Sequence, residues 1–439
     1  MDSQLSAATT AAPAFSAPPA QPAAPAPSLS RGKRWLFSGI LLLLVLGLGE
    51  LAASVFLRVT RGYDGRHLYQ YDYDAYKNIL PARNYVDTRG IVHNAQGFRR
   101  TTNVSVVKAP GAIRVFIMGG STAYGLGGLW PFIQRDYAVL KNAETIDSYL
   151  ENELRKAFPG RQVEVINAAI TSTWTHHSFI YINQSILKYH PDMVLFLDGY
   201  NDYYFDEPGH DQFASYAYNN PAEVIMGAPT IKSLMYANGW WLFRKSALFH
   251  VLGRAAQIAK QAVTPKPAQP PIPVDSAIAG IQRNFPKDAL KMHRRSGLIL
   301  LDEGVVPVFM LQPMLILERA RLTTMPPIER KLFEFDVSSQ KPNVETFYRR
   351  AVDVVRADEE AMTKEIGAQY IDLTGIYAGA QGQMFTDYVH LTPRANEILA
   401  GEVAKRIEPL LAARLASGCA EGSDSIRCRN PRPANPVAR

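Results

Sequence analysis

The distribution of apolar residues predicts a five-stranded sheet from Ile113 onward. Segments between the strands place apolar residues at helical spacing, as in Ile146, Leu150 and Leu154. Strands without polar alternation are buried on both faces by crossover helices, as in parallel sheets. The pattern therefore predicts an α/β fold, with three αβα layers around a doubly wound parallel sheet. The five strand candidates are IRVFIMG, QVEVINAA, DMVLFLDGYND, VVPVFMLQP and AQYIDLTG.

Two long excursions, at about 203–284 and 313–344, interrupt this alternation. Excursions of this length in a compact domain are usually functional or flexible. The first contains NGWWLFRKSALFHVLGRAAQIAK, an apolar and basic helix candidate. It is interpreted as a lid, as a membrane-facing surface, or as a helix packed on the body, which is the commoner case for amphipathic helices. We expect one domain over residues 111–415, preceded by an irregular collar over residues 62–110.

Residues 35–59 form an apolar stretch long enough to cross a bilayer, which takes about 20 residues. Glu50 is a costly charge within it, and we expect this carboxylate to lie near the outer interface or against a partner. The stretch exceeds the core of a secretory signal, and no small-residue cleavage site follows it. The sequence therefore favours an uncleaved transmembrane anchor over a removed signal.

Both ends of the chain have the composition of flexible tails. Residues 1–30 are built almost entirely of Ala, Pro and Ser, and residues 416–439 end in a basic, Pro-rich stretch. Cys419 and Cys428 bracket a short polar loop in this second tail, as a disulfide in an oxidising compartment would, although two unrelated thiols are the alternative. Basic residues flank the apolar stretch on both sides, so charge alone does not orient it. The cysteines favour a body outside the inner membrane.

Composition narrows the classes of partner. The chain has 439 residues with 47% hydrophobic and 20% charged content, typical of a globular protein. Its net charge of +7 permits contact with anionic lipid or glycan. There is no dense basic stripe with interleaved aromatic residues, so the sequence does not support nucleic-acid binding. His176, His177 and His190 do not follow a metal-ligand spacing, and we expect no metal and no cofactor.

Polar residues of one chemical set follow the predicted strands. Ser121 comes after the first strand, behind two glycines, and Asn201 after the third, while Asp387 and His390 follow the fifth. Ligands of doubly wound sheets bind at the carboxyl ends of the strands. We therefore expect these four side chains to meet at one edge of the sheet.

This set suits acyl transfer. A serine hydroxyl becomes a nucleophile when a base takes its proton, and His390 can be that base if Asp387 holds its other ring nitrogen. A tight turn must bring Asp387 and His390 together, and Thr392 as N-cap with Pro393 at the first helical position would fix that turn. Asn201 and the backbone N–H groups of Ser121 and Ser172 could stabilise the oxyanion.

Four segments resemble the conserved blocks of the SGNH (GDSL-like) hydrolases in order and approximate spacing. They are MGGSTAYG, NAAITSTW, GYND and DYVH, and the similarity covers Ile113 to about Leu411. The resemblance implies a flavodoxin-like fold with Ser121 as nucleophile and oxyanion donor. It also implies that Asn201 is an oxyanion donor, His390 the base and Asp387 its partner.

The sequence departs from the family pattern at two positions. Gly120 precedes Ser121 where the family often has aspartate, which leaves the nucleophile intact. Ser172 occupies the position of the second-block glycine that donates a backbone N–H, and a serine at positive φ would be strained. The amide of Ser172 itself survives the change.

Three functions are compatible with the sequence. The leading one is a membrane-anchored extracytoplasmic serine esterase that removes a short O-acyl group, such as acetyl, from a glycan or lipid. The second is an O-acyltransferase of envelope polysaccharide that uses the same triad, and the third is a non-catalytic binding module. We expect a single-pass protein of the inner, cytoplasmic membrane with a periplasmic catalytic domain, an ester as substrate and no nucleic acid as partner.

Overall fold

The computed structural model describes residues 30–61, 71–74, 78–87, 90–128, 139–171, 173–204, 246–263, 273–339 and 343–416. The chain divides into two units, Met1–Gly49 and Glu50–Arg439, and each is described by itself. The described strands are β1 (Tyr71–Asp74), β2 (Asn78–Pro81), β3 (Ile113–Gly119), β4 (Val163–Asn167), β5 (Met193–Asp198), β6 (Val306–Leu311) and β7 (Gln369–Asp372). The described α-helices are α1 (Arg31–Arg61), α2 (Ser121–Tyr124), α3 (Ile146–Ala157), α4 (Thr175–Tyr181), α5 (Tyr200–Tyr204), α6 (Ala247–Val263), α7 (Val274–Asn284), α8 (Ala289–Asp302), α9 (Pro327–Ser339), α10 (Val344–Ile366) and α11 (Pro393–Ala416).

Helix α1 confirms the expected N-terminal apolar helix. Its stretch Arg31–Thr60 has a mean hydropathy of 2.5 and is long and apolar enough, by length and composition, to cross a membrane. Most of its large apolar side chains are exposed in the structure. Exposed apolar residues along a whole helix need a covering medium or partner.

The second unit contains the predicted parallel sheet. Its five strands lie in the order β4-β3-β5-β6-β7, and every neighbouring pair is parallel. Numbered within the sheet, this is the order 2-1-3-4-5 of flavodoxin-like folds, in which ligands bind where the strand order reverses. That reversal lies between β3 and β5, so it is next to the residues that follow these strands.

The strands are buried on both faces because their apolar residues alternate between two helical layers. Val115 and Ile117 of β3 belong to the core cluster that contains Leu150 of α3 and Leu399 of α11. Phe116, between them in the sequence, faces the opposite layer, and so does Met118. Leu300 of α8 and the residues that continue α4, Ile182 and Ile186, belong to that second layer. The αβα arrangement therefore follows from apolar residues on both faces of the strands.

The structure differs from the sequence-based expectation in the collar and the excursions. Residues 62–110, expected to be irregular, contain the antiparallel pair β1 and β2. Tyrosine alternates with aspartate in β1, which is the spacing of two residues that a strand produces. The excursions also hold helices that pack on the body, since Ile281 of α7 and Leu332 of α9 are buried in the core. The boundaries of the predicted domains stay a prediction.

Candidate active site

The turn after β3 requires glycine and delivers Ser121. Gly119 has φ of +136°, and a Cβ there would lie 2.3 Å from the carbonyl oxygen of Leu197. A Cβ on Gly120 would lie 2.7 Å from Nδ2 of Asn201. Helix α2 begins at Ser121 directly after this turn. Glycine at both positions therefore lets the strand end sharply and lets the Asn201 amide approach the backbone next to Ser121.

Ser121, His390 and Asp387 form a continuous hydrogen-bonded chain. The Oγ atom of Ser121 lies 2.8 Å from Nε2 of His390, and Nδ1 of His390 lies 2.6 Å from Oδ2 of Asp387. An ionised carboxylate can only accept, so Nδ1 carries the proton and Nε2 is the acceptor for the serine hydroxyl. The structure thus brings together the three side chains that the sequence singled out from opposite ends of the domain.

A tight turn brings the side chains of Asp387 and His390 together. The Oδ1 atom of Asp387 accepts the backbone N–H of Val389 at 3.0 Å and that of His390 at 2.9 Å, which leaves Oδ2 for the imidazole. Thr392 accepts the N–H of Ala395 and caps α11, as predicted. Burial alone would raise the pKa of Asp387, but its electrostatic interaction with His390 and the hydrogen bonds from the imidazole and the two backbone N–H groups hold that pKa below its ordinary value. Asp387 is therefore ionised at neutral pH.

Asn201 lies in the first turn of α5 and contacts the loop that follows β4. Its Nδ2 donates to the carbonyl of Thr173 at 2.6 Å, and an amide group has a second N–H to offer. Asp202 binds the end of the same loop, since its Oδ1 accepts hydrogen bonds from the backbone N–H of Thr175 at 3.0 Å and from the Thr175 hydroxyl. Ser172, the other expected oxyanion donor, lies outside the described residues.

Arg99 and Asn167 support the helix that carries Ser121, a role that the sequence did not predict. Arg99 is buried and donates to the carbonyls of Tyr124 at 2.6 Å and Gly125 at 2.7 Å, which end helix α2. Asn167, at the end of β4, donates to the carbonyl of Ala123 at 3.1 Å. These donors satisfy carbonyls at the C-terminus of the short helix that carries Ser121. The GFRR segment of the collar gave no signal of such a long-range contact.

A buried charge cluster lies at the end of β5, three residues before Asn201. Nδ1 of His293 lies 2.5 Å from Oε1 of Glu359, and its Nε2 lies 3.3 Å from Oδ2 of Asp198. Burial lowers the pKa of His293, but Glu359 and Asp198 outweigh that effect and raise it to about 10. Burial and the charge of Asp198 raise the pKa of Asp202 to about 6. An imidazolium between two carboxylates thus underlies the turn that presents Asn201.

We expect His293→Leu to lower the free energy of unfolding by about 3–5 kcal/mol, because it leaves two buried carboxylates without their cation. The contribution of His293 to stability is fully present below pH 6.5, its ordinary pKa, and is lost as pH rises through about 10. Urea unfolding at pH 6 and pH 9 measures both effects. The control is Arg294→Gln, which breaks only an exposed pair with Glu365 and should cost less than about 1 kcal/mol. Equal losses in the two variants would contradict the prediction.

Other sequence candidates are placed as follows. His176 and His177 lie in α4. Burial lowers the pKa of His177 to about 4, and its ring packs edge-on against that of Trp174 with 4.6 Å between the ring centroids. Cys419 and Cys428 lie outside the described residues, as do residues 205–245 with the tryptophan pair and most of the tyrosines of the first excursion. Across the described ranges, no group of three or more His, Cys, Asp or Glu residues could hold a metal ion.

Comparisons with known proteins give similarities at low identity. No protein-family model matches the chain, and no curated protein matches it in sequence. Similar solved structures include an alpha/beta hydrolase enzyme from the metagenome of Lake Arreo, with 12% identity, a TM-score of 0.35 and coverage of 70% of this chain and 97% of that one. A catalytic mutant of an acetylxylan esterase from Geobacillus stearothermophilus has 11% identity, a TM-score of 0.36 and coverage of 69% and 96%. A lipase/acylhydrolase from Enterococcus faecalis has 14% identity, a TM-score of 0.35 and coverage of 68% and 96%.

Proposed function

We propose that the protein is a serine esterase of the SGNH type, anchored in a membrane by α1. The observation that carries this proposal is the hydrogen-bonded chain from Ser121 through His390 to Asp387, with distances of 2.8 and 2.6 Å. A histidine that accepts from a serine hydroxyl through Nε2 and donates to a carboxylate through Nδ1 is the arrangement needed to activate that hydroxyl. The substrate we propose is a short O-acyl ester, such as an acetyl ester, of a glycan or lipid.

The reaction follows from the positions of the protons. As Ser121 Oγ attacks the acyl carbonyl, its proton moves to Nε2 of His390, and the imidazolium is stabilised by Asp387. The same proton then passes to the leaving alcohol, and the acyl group stays on Ser121. Water attacks this ester with His390 as the base, and the carboxylic acid and the free serine are released.

The oxyanion of each tetrahedral intermediate needs N–H donors. We assign this role to the backbone N–H of Ser121 and to Nδ2 of Asn201, with the N–H of Ser172 as a third donor. Gly120 supports this assignment, because a side chain at this position would meet the Asn201 amide.

Membrane attachment and compartment are further parts of the proposal. The length and composition of α1 support a single span, and the cysteines of the C-terminal tail favour a body in an oxidising compartment. We therefore place the esterase domain on the periplasmic side of the inner membrane. An ester on an envelope glycan or on a lipid would be within reach of an enzyme held at that surface.

A fluorophosphonate probe tests the proposal directly. We expect the probe to lose fluoride and form a phosphorus–oxygen bond with Ser121 Oγ, because His390 takes up the serine proton. Peptide mass spectrometry of the labelled full-length protein locates the site. The matched control is Ser105→Ala, which removes an exposed serine and should leave labelling unchanged. Absence of labelling would contradict the proposal and favour the binding-module hypothesis, whereas labelling that survives Ser121→Ala would contradict it by showing that another group reacts.

Product analysis separates hydrolysis from transfer. An acetylated donor incubated with a glycan acceptor gives free acetate if water attacks the acyl-enzyme, and acetylated glycan if a sugar hydroxyl does. The proposal expects free acetate as the main product. Predominant transfer of acetyl to the glycan would replace the esterase by the acyltransferase hypothesis while leaving the triad in place.

A further inference from the structure

Glu50, the charge within the apolar stretch of α1, has three hydrogen-bond donors at the N-terminus of α6. Its carboxylate accepts the hydroxyl of Ser246 at 2.5 Å and the backbone N–H groups of Ala247 at 2.6 Å and Leu248 at 3.0 Å. The first N–H groups of a helix have no partner within the helix, and its N-terminus attracts negative charge. Glu50 therefore acts as the N-cap of a helix that lies almost two hundred residues later in the chain.

Apolar contacts extend the interaction between Glu50 and α6 toward the end of α1. Ala53 and Leu57 are buried in one small cluster with Ala247, against which Leu248 and Val251 of α6 pack. Glu50, Ala53 and Leu57 lie on one face of α1 at spacings of three and four residues. The neighbouring side chains of this part of α1, including Leu51, Val55 and Phe56, stay exposed.

The apolar face of α6 continues beyond the contact with α1 and is exposed there. Leu252 lies four residues after Leu248, and Ile258 lies seven residues after Val251, so both extend rows that begin in the contact. Leu252 is 55% exposed and Ile258 is 56% exposed. Because these rows continue from the contact with Ala53 and Leu57, one medium can cover them and the exposed side chains at the end of α1.

We propose that α6 lies in the lipid bilayer surface beside the last turns of α1, with Leu252 and Ile258 against the acyl chains. This inference rests on the membrane anchoring proposed above. Glu50 precedes Arg58, the first basic residue after the apolar stretch, by eight residues, or about 12 Å of helix. At that depth an isolated carboxylate is costly, so the donors of α6 make Glu50 compatible with the membrane and hold α6 there.

The proposal also gives α6 a function. Amphipathic helices in the interface are held by buried apolar area and by attraction between basic residues and anionic lipid. The overall charge of +7 suits an anionic surface. A second attachment point would restrict how the esterase domain moves above the bilayer. A domain held in this way would act on esters at the membrane surface rather than on esters free in solution.

Site-specific fluorescence tests the position of α6. A nitrobenzoxadiazole label is attached to Leu252→Cys in full-length protein in which Cys419 and Cys428 are replaced by serine. The protein is reconstituted into vesicles of phosphatidylethanolamine and phosphatidylglycerol. The control is Gln257→Cys, a position about 140° from Leu252 and about 100° from Ile258 around the helix, at 100° per residue. Leu43→Cys in α1 reports independently on the anchor.

We expect nitroxide-labelled lipids to quench the label at position 252 and aqueous iodide to quench the label at position 257. A label at position 252 that is quenched by iodide overturns the proposal, and so does one that is shielded from both quenchers, since protein would then cover it. Lipid quenching at position 43 in either of these cases would show that the anchor stands while the inference about α6 fails. Iodide quenching at both 43 and 252 would instead contradict the anchoring itself.

The role of Glu50 is tested in the same labelled protein. Glu50→Gln keeps a carbonyl acceptor for the N-terminus of α6, whereas Glu50→Leu removes it. We expect lipid quenching at position 252 to persist with glutamine and to be lost with leucine, as α6 leaves the bilayer surface. Unchanged quenching in Glu50→Leu would overturn the role of this carboxylate in holding α6.

Discussion

Replacing Ser121 with alanine is expected to reduce ester hydrolysis by a factor of about 10⁴–10⁶, because the variant has no oxygen on which to form the acyl-enzyme. The side chain of Ser121 contacts His390 and carries no other hydrogen bond among those described above, so we expect the fold to be retained. Initial rates with p-nitrophenyl acetate, together with urea unfolding, measure both quantities. The removal of a nucleophile should therefore be visible in activity alone.

The control for Ser121→Ala is Ser105→Ala, an exposed serine outside the site. It should match the parent protein in rate and in unfolding. Turnover of Ser121→Ala within tenfold of the parent protein would show that another group performs the chemistry. Loss of activity together with a collapse in stability would show that Ser121 serves the turn rather than the reaction.

Asp387→Asn is expected to lower kcat by a factor of about 10³–10⁴ while leaving the backbone in place. Oδ1 of Asp387 holds the N–H groups of Val389 and His390, so the asparagine oxygen must keep that position. Its NH₂ group then faces Nδ1 of His390 and donates to it. The proton of the imidazole is forced onto Nε2, which can no longer accept the proton of Ser121.

Steady-state kinetics and peptide labelling by fluorophosphonate both report this loss. The matched control is Asp372→Asn, which also removes a carboxylate near a strand end but disturbs an ion pair with Arg356 instead. It should affect the free energy of unfolding, with kcat near that of the parent protein. A small effect of Asp387→Asn on kcat would mean that the orientation of His390 does not depend on the carboxylate.

Much of the fold could be predicted from the sequence because burial on both faces leaves a local signal. The apolar runs at Val115–Met118 and Met193–Leu197 lie in adjacent parallel strands. Apolar residues at helical spacing predicted α3 and α10 in the same way. The pair β1–β2 was overlooked because its four-residue strands are short. The packing of α7 and α9 was not predicted because long insertions carry no local sign of what they cover.

The candidate site was predictable in part because parallel strands end at a common edge. This rule was enough to expect Ser121, Asn201, Asp387 and His390 in one place. The cluster around His293 was not predicted, because a histidine and a glutamate on two different helices have no fixed spacing in sequence. Their partnership depends on how α8 and α10 cross the sheet.

The sequence by itself determined which polar residues follow which strand, where the apolar stretch around Glu50 lies, and that two glycines precede Ser121. Each of these features depends only on neighbouring residues. Only the tertiary structure decided which atoms meet. It brought Oγ of Ser121 to 2.8 Å from a nitrogen of His390, and it gave Glu50 three donors from the start of α6. Contacts between residues 196 to 269 positions apart depend on the packing of the whole chain, which no local sequence pattern predicts.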